Sequence, residues 1–514
     1  MNLGEVVASL PTKRAAVYMF ERGKVTKHPY ALLAHDIARA LENLRSWGVA
    51  AGSRVGVFAP NSYHWLVYDM AMIEMGAVSV PFTDDFAGKI DRDLLDRHQI
   101  SLLLISKNSA LRDRQPYIAM IDADNDGVRA IPRPADPDSD ALSLSFSSGS
   151  AGGLKGLVIS REGAEETLLP ILEQIGVTSS DRLLLFMPMS NFQQRTLYYT
   201  SLFCDCDIVI TDYLQLPAAI KQMQPTLLIA PPMYFQMAYT RYVNFPAAKK
   251  KRWRFLSLLL SLIPIAGLRR ALAEILFAEF YQQFGGKMRL LITGMAPIKH
   301  EVVAFFDGLQ LPLCESYGLM ETGSLTWRPA RSKKYGSVGR PLRGVTLEFT
   351  DEGEVIVKRG KTLTKHYFQS AEGENERTFI SPGRIATGDI GKLDSDGYLY
   401  LLGRKKELIV TAGGYKIHPE IVERELAGCP DVAQAAVFLK PGAPTLTCVA
   451  ALNPPAGEAA RARVRDFVRG MKSTRAAQIS EVLFADTPFS TANGMLRPNL
   501  KLDRRAIAAK FNLG

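Results

Sequence analysis

Short apolar runs alternate with longer amphipathic segments along most of this chain. The run Arg54–Pro60 predicts a strand, Tyr63–Met75 predicts a helix, and Ala77–Pro81 predicts the next strand. Further runs of the same kind predict strands at 102–105, 183–187, 207–211, 226–229 and 289–293. Because strand, helix and strand in succession form a parallel unit, this rhythm predicts parallel sheets covered by helices.

The pattern changes between Tyr335 and Tyr400, where short alternating strands such as Gly353–Lys358 are separated by glycine turns. This change predicts a small β-barrel-like subdomain. The residues from Gly403 onwards have the size and pattern of a compact α+β domain. We therefore predict an α/β protein. Its large N-terminal domain, residues 1–402, has parallel-rich sheets with helices plus the small subdomain, and a small mobile α+β C-terminal domain spans 403–514.

Length and composition fit two or more domains with large cores, because the chain has 514 residues of which 47% are hydrophobic. Its five cysteines form no CxxC pair and do not cluster with histidines, which argues against a disulfide framework or a zinc site. Cys204 and Cys206 are expected on opposite faces of a strand. A reducing cytoplasm is the expected location, since no segment reaches the ~20 apolar residues that span a bilayer.

The formal charge of +10 predicts attraction to anionic ligands, and no nucleic-acid-binding module is recognisable. One basic run, 249–254, leads into the apolar stretch 255–268. Flanking cations and an interfacial Trp253 are typical of a segment that lies on a membrane surface. A core helix with a solvated basic start explains the same pattern. Both interpretations stay open, so peripheral membrane contact is one option for the location.

The stretch Ser145–Gly156 combines glycine, serine and a closing lysine after an apolar alternating run. Glycine lets backbone N–H groups converge on an anion, serine hydroxyls add donors, and lysine adds positive charge. The spacing differs from the P-loop signature, and a flexible surface loop is the alternative. The predicted phosphate-binding residues are Ser147, Ser148, Gly149, Ser150, Gly152 and Lys155.

Three further motifs follow in order: Glu315–Gly323, Thr387–Asp389 and Gly403–Ile409. Together with the serine- and glycine-rich stretch, they resemble the adenylate-forming superfamily of acyl-CoA synthetases, carrier-protein-loading adenylation domains and luciferases. The resemblance extends from about residue 24 to residue 505, which is nearly the whole chain.

The resemblance implies a role for each motif. The loop would embrace the β- and γ-phosphates of ATP, Glu321 would help to hold Mg²⁺, Asp389 would accept hydrogen bonds from the ribose hydroxyls, and Arg404 would reach the nucleotide. Tyr317 would stack on adenine. The residues implied to bracket the base are Gly294, Ala296, Pro297, Glu315, Ser316, Tyr317 and Gly318.

Two departures from the family pattern concern hydroxyl groups. Ala151 and Met320 stand where the family commonly has threonine, and Met320 directly precedes the motif glutamate. Each lost hydroxyl contact with phosphate is worth roughly 0.5–1.5 kcal/mol, which predicts slower adenylation.

A third departure concerns the catalytic lysine near the C-terminus. One register places Met495 there, whereas the resemblance of 493–502 to the ending of long-chain acyl-CoA synthetases places Lys501 there. We expect Lys501 to bridge the carboxylate and the α-phosphate.

The implied activity is ATP-dependent carboxylate activation to acyl-AMP, followed by thioester formation, as in a fatty acyl-CoA synthetase. Met187–Arg195 lies where the family builds acyl-pocket walls. The C-terminal domain would rotate about Lys406, and Gly413 and Gly414 would line a tunnel for the pantetheine arm of CoA.

Two alternatives remain from the sequence. In the first, a fatty or aryl acid is loaded onto the phosphopantetheine of an acyl carrier protein. In the second, suggested by Ala151, Met320 and Met495, the chain binds nucleotide or acyl-adenylate without catalysis.

Overall fold

The structure is a computed structural model. It describes residues 2–83, 86–109, 111, 115–123, 125–148, 154–410, 416–454, 456–471, 478–496 and 502–513, with only the backbone of 147, 148, 154 and 416. Helices and strands are numbered below in chain order.

The first sheet has seven strands in the order β18-β8-β7-β4-β3-β5-β6. Its central strands are parallel, and β8 is antiparallel to both of its neighbours. The strands are β3 Arg54–Phe58, β4 Val78–Pro81, β5 Ile100–Ile105, β6 Ile118–Met120, β7 Ala141–Ser148, β8 Leu154–Ser160 and β18 Thr364–Phe368.

The second sheet has nine strands in the order β15-β14-β13-β12-β11-β9-β10-β1-β2. Its inner strands are parallel, and antiparallel strands lie at both edges. The strands are β1 Ala16–Glu21, β2 Lys24–Pro29, β9 Arg182–Leu185, β10 Asp207–Ile210, β11 Leu227–Ile229, β12 Leu290–Thr293, β13 Leu313–Leu319, β14 Gly323–Arg328 and β15 Arg340–Pro341. The parallel-rich sheets that the sequence predicts are confirmed.

Within the described ranges, twelve α-helices accompany these two sheets. They are α1 Leu3–Ser9, α2 Tyr30–Ser46, α3 Tyr63–Met75, α4 Arg92–Arg97, α5 Arg161–Ile175, α6 Phe192–Cys204, α7 Leu216–Met223, α8 Pro232–Val243, α9 Ala247–Ser261, α10 Ala266–Leu276, α11 Ala278–Gln283 and α12 His300–Gly308. Local chemistry defines the ends of α3: the Ser62 side chain accepts a hydrogen bond from the Trp65 N–H, and Gly76 ends the helix at φ 76°. Helix α3 therefore has the bounds that the sequence predicts.

The predicted β-rich subdomain is a five-stranded antiparallel sheet in the order β16-β17-β20-β19, with β21 paired to β20. Its strands are β16 Thr346–Phe349, β17 Glu354–Lys358, β19 Phe379–Ser381, β20 Arg384–Leu393 and β21 Leu399–Arg404, and the short helix α13 Glu374–Thr378 precedes β19. Within the described ranges no strand pair closes this sheet into a barrel.

The C-terminal part combines small sheets and three helices, in agreement with the predicted α+β character. Its elements are β22 Ile409–Val410, β23 Lys416–Ile417, α14 Pro419–Leu426, β24 Val432–Leu439, β25 Leu446–Leu452, α15 Glu458–Gly470, β26 Ile479–Ala485 and α16 Arg504–Lys510. The domain boundary at 402/403 and the mobility of the second domain stay predictions.

The prediction for Cys204 and Cys206 is wrong. Cys204 is the last residue of α6, Asp205 turns the chain at φ 52°, and Cys206 precedes β10. The left-handed turn after the helix separates the two thiols, so they do not share a strand. Both cysteines are free.

The basic and apolar run from 249 to 268 forms α9 and the start of α10. Trp253, which the sequence suggested as an interfacial residue, is instead a core residue, 7% exposed, with its ring centroid 4.6 Å from that of Phe277. Leu260 is also buried, yet other large apolar side chains of this region are exposed. Among the described residues, no helix has both the length and the apolar character needed to cross a bilayer.

The predicted acyl-pocket segment Met187–Arg195 leads into α6 and contains a fully buried cation. Arg195 pairs with Asp69 of α3 at 2.6 Å, and both side chains are 0% exposed. Tyr198 and Tyr199 donate hydrogen bonds to the same carboxylate, and Arg195 donates to the Ser143 hydroxyl at 2.8 Å. This network connects α3, α6 and β7. The Arg195 side chain is therefore held by contacts inside the core.

Candidate active site

The hairpin of β7 and β8 holds both ends of the predicted phosphate loop. Ser147 pairs with Lys155, and Ser148 with Leu154, in antiparallel register. The predicted ligands Gly149, Ser150 and Gly152 lie outside the described residues, as does Ala151. The hairpin therefore fixes where the loop leaves and rejoins the first sheet.

Lys155 is the predicted loop residue whose side chain is described. Its ammonium group forms an ion pair with Glu374 and lies 4.8 Å from the ring centroid of Tyr367. Burial lowers the pKa of Lys155, and the nearby charge of Glu321 acts in the opposite direction. A cation in this position can exchange its carboxylate partner for a phosphate group.

Glu321 lies in the turn between β13 and β14, beside the Lys155 cluster. Tyr367 donates a hydrogen bond from its hydroxyl to Glu321 Oε1 at 2.7 Å. Within the described part of the chain, Glu321 Oε2 has no hydrogen-bond partner. The turn is attached to β18, since the Thr364 N–H donates to the Glu321 carbonyl at 3.0 Å and its hydroxyl donates to the Met320 carbonyl at 2.7 Å. The Glu321 carboxylate is thus held in place with one oxygen available.

These residues fit Mg²⁺ when the ion is shared with a nucleotide. In the ranges that the structure describes, no three His, Cys, Asp or Glu residues form a metal site. Mg²⁺ usually takes one or two carboxylates plus phosphate oxygens and water. Glu321 supplies one such carboxylate, so it would hold the ion together with the phosphates.

Tyr317, Asp389 and Arg404 come together from three strands. The Tyr317 hydroxyl donates to Asp389 Oδ2, and Arg404 Nε lies 2.8 Å from Asp389 Oδ1. Asp389 and Arg404 are direct partners in the register of β20 and β21. Arg404 also donates to the Thr387 carbonyl at 3.2 Å, and the Thr387 hydroxyl accepts from the Asp389 N–H at 3.1 Å. The structure therefore joins the tyrosine and the two later motifs in one hydrogen-bond network.

The electrostatics link this network with Glu321. Burial of Arg404 opposes the charge of its guanidinium group. The pKa of Arg404 is nevertheless raised, because Asp389, Tyr317 and Glu321 stabilise that charge. Burial and the adjacent Asp389 raise the pKa of Tyr317, which stays a neutral hydrogen-bond donor. A cation paired with one carboxylate and within the influence of a second is suited to a ligand that carries both hydroxyl and phosphate groups.

Glycines allow two close backbone approaches beside Tyr317. A Cβ on Gly294, directly after β12, would lie 2.6 Å from the Ser316 carbonyl oxygen. A Cβ on Gly318 would lie 2.4 Å from the Gly323 carbonyl oxygen. Both contacts are too short for any side chain, so these motif glycines are required by packing. Ala296 and Pro297 are exposed after β12.

The Glu315 and Ser316 side chains have internal partners. The Glu315 carboxylate pairs with Arg328, whose side chain is 0% exposed, and burial raises the pKa of Glu315. The Ser316 hydroxyl donates to the Thr326 carbonyl at 3.1 Å. Their side chains thus stabilise the β13–β14 hairpin, which leaves their backbone as the part that can border a base.

The C-terminal predictions are covered only in part. Gly413, Gly414 and Lys501 lie outside the described residues. Met495 is described, and it is 1% exposed in a small core with Phe489 and Ile507. An apolar residue at 495 therefore has a packing role.

Sequence reasoning missed Tyr367 and Glu374, which contact Glu321 and Lys155 respectively. Tyr367 lies 46 residues after its partner, and Glu374 lies 219 residues after its own. The alternation in Thr364–Phe368 indicates a strand, but it holds no signal for the strand's neighbours. Thr387 was quoted in a motif, whereas its role as a partner of both Asp389 and Arg404 needed the structure.

The fold is that of an α/β protein, and the site combines two cations, two carboxylates and a tyrosine hydroxyl, which are groups that can bind a nucleotide. Consistent with this, the profile of the AMP-binding enzyme family matches residues 3–368. The chain belongs to the AMP-binding enzyme family.

Relatives and solved structures resemble the chain over nearly its full length. A long-chain-fatty-acid–CoA ligase of Mycobacterium bovis is 25% identical over 93% of this chain and 90% of that protein. A chloroplastic long-chain-fatty-acid–acyl-carrier-protein ligase of Arabidopsis thaliana is 21% identical over 94% of this chain and 82% of that protein. The solved o-succinylbenzoate coenzyme A synthetase of Bacillus subtilis, in complex with AMP, has a TM-score of 0.74 at 18% identity, covering 98% of this chain and 97% of that one. The last similarity concerns the fold alone.

Proposed function

We propose that the protein is an ATP-dependent fatty acyl-CoA synthetase, which forms acyl-AMP and pyrophosphate and then an acyl-CoA thioester. The observation that carries the proposal is the network of Tyr317, Asp389 and Arg404, in which Tyr317 lies on the same β13–β14 hairpin that holds Glu321, in a chain of the AMP-binding enzyme family. The name of the Mycobacterium bovis relative supports the choice of a fatty acid and of CoA.

In the first half-reaction, a carboxylate oxygen of the acid attacks the α-phosphorus of ATP. The new bond joins this oxygen to phosphorus, and the bond between the α-phosphorus and the bridging oxygen breaks as pyrophosphate leaves. The site must neutralise charge on the phosphoryl oxygens and on pyrophosphate. Lys155 and the loop would bind the leaving phosphates, Asp389 would accept the ribose hydroxyls, and Lys501 would bridge the two reacting anions.

Mg²⁺ supplies charge neutralisation on the phosphates when it is bound. Glu321 would offer its Oε2 to the ion while the Tyr367 hydroxyl keeps Oε1 oriented. A fixed carboxylate loses little conformational freedom on binding, which favours a defined position of the metal.

In the second half-reaction, the CoA thiolate attacks the acyl carbonyl carbon and AMP leaves. We propose that residues 403–514 form a mobile lid that rotates about Lys406, and that Gly413 and Gly414 border the pantetheine arm. Hydrogen bonds and ion pairs of individual side chains cross this boundary, and such a rotation would have to break them. Examples are Arg424 to the Leu401 carbonyl at 3.1 Å and Lys299 Nζ to the Val432 carbonyl at 3.3 Å.

The test of the proposed function is acid-dependent pyrophosphate release with ATP and Mg²⁺, measured over short, medium, long-chain and aryl acids. We expect long-chain acids to give the highest rate, and addition of CoA to give acyl-CoA. Release that is independent of any acid would contradict the proposal.

The second candidate acceptor is the phosphopantetheine of an acyl carrier protein, which the Arabidopsis relative favours. Incubation of the enzyme with acid, ATP and either CoA or holo carrier protein discriminates the two by mass spectrometry of the acylated thiol. We expect CoA to be acylated faster.

A further inference from the structure

The α9–α10 hairpin, residues Ala247–Leu276, exposes an unusual amount of apolar surface. Phe255 is 58% exposed, Leu258 60%, Leu259 44% and Leu262 71%. In the turn and in α10, Ile265 and Leu268 are 63% and 49% exposed. Large apolar side chains this exposed, contiguous along one hairpin, are typical of a surface that meets a partner.

The exposed residues form one face of α9. Lys251, Phe255, Leu258 and Leu262 follow the spacing i, i+4, i+7 and i+11, which places them on a single stripe of a helix. The opposite face carries Trp253 and Leu260, which belong to the core of the second sheet. Helix α9 is therefore attached to the protein by one apolar face and presents a second one outward.

Cations surround the basic end of this stripe. Lys251, Arg252 and Arg254 are exposed, and no ion pair is recorded for them among the residues that the structure describes. By contrast, Lys249 of the same run is paired with Glu279 at 2.9 Å, and Lys250 donates to the Val243 carbonyl at 2.9 Å. The three outward cations are thus available to an external anion.

We propose that the α9–α10 hairpin docks the protein on the surface of an anionic lipid bilayer. The leucine stripe would enter the boundary between headgroups and acyl chains, while Lys251, Arg252 and Arg254 would contact lipid phosphates. A second copy of the chain is a poorer occupant, because a symmetric contact would bring the same cations together. Docking on a bilayer would give access to membrane-dissolved fatty acids, and this benefit alone rests on the proposed function.

The test is co-sedimentation of the full chain with vesicles in the absence of ATP and acid, so the result does not depend on catalysis. Vesicles are phosphatidylcholine alone or mixed with phosphatidylglycerol, at about 0.1 M salt. We expect binding to the anionic vesicles and about tenfold weaker binding to the neutral ones. The double variant Leu258→Ser/Leu262→Ser should bind anionic vesicles about tenfold more weakly. The variant Lys251→Gln/Arg252→Gln should lose the preference for anionic lipid.

A matched control is Leu32→Ser/Leu393→Ser, which removes two leucines that are 43% and 39% exposed elsewhere on the surface. It should bind as the parent protein does. A thermal midpoint equal to that of the parent shows that a variant folds. If the leucine variant does not fold, Lys251→Gln/Arg252→Gln still tests the surface. Absence of vesicle binding, or equal binding by parent and hairpin variants, would overturn the proposal. So would a parent dimer that the leucine substitutions turn into a monomer.

Discussion

Two arginine–aspartate pairs, Arg195–Asp69 and Arg404–Asp389, differ in how far they are removed from solvent. The Arg195 and Asp69 side chains are both 0% exposed, whereas those of Arg404 and Asp389 are 31% and 9% exposed. Two tyrosines complete the hydrogen bonding of Asp69 inside the core. The same residue types therefore serve packing in one place, whereas under the proposed function they bind the nucleotide in the other, and the two pairs differ in solvent access.

The largest effect on stability is expected when the enclosed pair is broken. Asp69→Asn leaves the Arg195 charge buried without its counter-ion, and loss of one partner of such a pair costs about 3–5 kcal/mol. We expect the free energy of unfolding in denaturant to fall by that amount. The exposed Asp466, 71% accessible beside Arg469, is the control: Asp466→Asn should unfold as the parent does. Equal stability of the Asp69 variant would show that the network is dispensable.

The second prediction concerns the pair at the site. Asp389→Asn removes a carboxylate that we expect to accept two ribose hydroxyls, at about 1.5 kcal/mol each, so acid-dependent pyrophosphate release should drop about 100-fold. The thermal midpoint should change less than for the Asp69 variant, because the pair reaches solvent. Asp351→Asn, at an exposed turn of the same sheet, should keep full activity. A large loss of stability with little loss of nucleotide binding would make Arg404–Asp389 a structural pair as well.

A smaller effect is expected from the hydrogen bond that orients Glu321. Tyr367→Phe removes one hydrogen bond to a charged group, about 1.5 kcal/mol, so the Mg²⁺ concentration for half-maximal activity should rise about tenfold. Tyr281→Phe is the matched control, since its hydroxyl donates at 3.0 Å to the Leu309 carbonyl away from the site. An unchanged Mg²⁺ requirement in Tyr367→Phe would remove Glu321 from the metal site.

The smallest effect concerns pH and the buried carboxyl of Glu420 in the C-terminal part. Burial, and then the Glu407 carboxyl, raise the pKa of Glu420 from 4.5 to about 7, while Arg504 pairs with Glu407 and Glu423. A raised pKa means that the folded state holds the proton. This stabilisation is complete below about pH 4.5 and is lost as the pH rises through about 7.

Glu420→Gln keeps the oxygen that accepts from the Arg404 N–H and removes the titration. We expect the fall in unfolding free energy between pH 5 and 8 to be shallower in this variant, as measured by denaturant titration at several pH values. An identical pH profile would mean that other groups cause the slope.

Helix caps and apolar patterns in the sequence predicted many helices and strands. They did not predict contacts between residues far apart in the sequence. Ser62 and Gly76 mark the ends of α3 in the sequence itself, so its bounds were predictable. Cys204 and Cys206 were misplaced because the sequence does not show that Asp205 makes a left-handed turn between α6 and β10. The motifs named Tyr317, Asp389 and Arg404, which the structure brings into contact. The partners Tyr367, Glu374 and Arg328 were not predicted, because pairing between strands is set by the whole sheet.

The α9–α10 hairpin is a second region that the sequence alone could not assign. The sequence left a core helix and a membrane-surface segment open for 249–268, and the structure has one buried and one exposed apolar face there. Trp253 and Leu260 are buried on one face of α9, and Leu258 and Leu262 are exposed on the other. A helix with two apolar faces has no clear amphipathic pattern, so the sequence could not assign the faces.

Carboxylate activation is tested most directly by mass-spectrometric detection of acyl-AMP after the protein is mixed with ATP, Mg²⁺ and a long-chain fatty acid without CoA. We expect acyl-AMP and pyrophosphate to appear in equal amounts, and both to nearly vanish in folded Asp389→Asn. ATP consumption without acyl-AMP, or acyl-AMP at the parent level in that variant, would contradict this expectation.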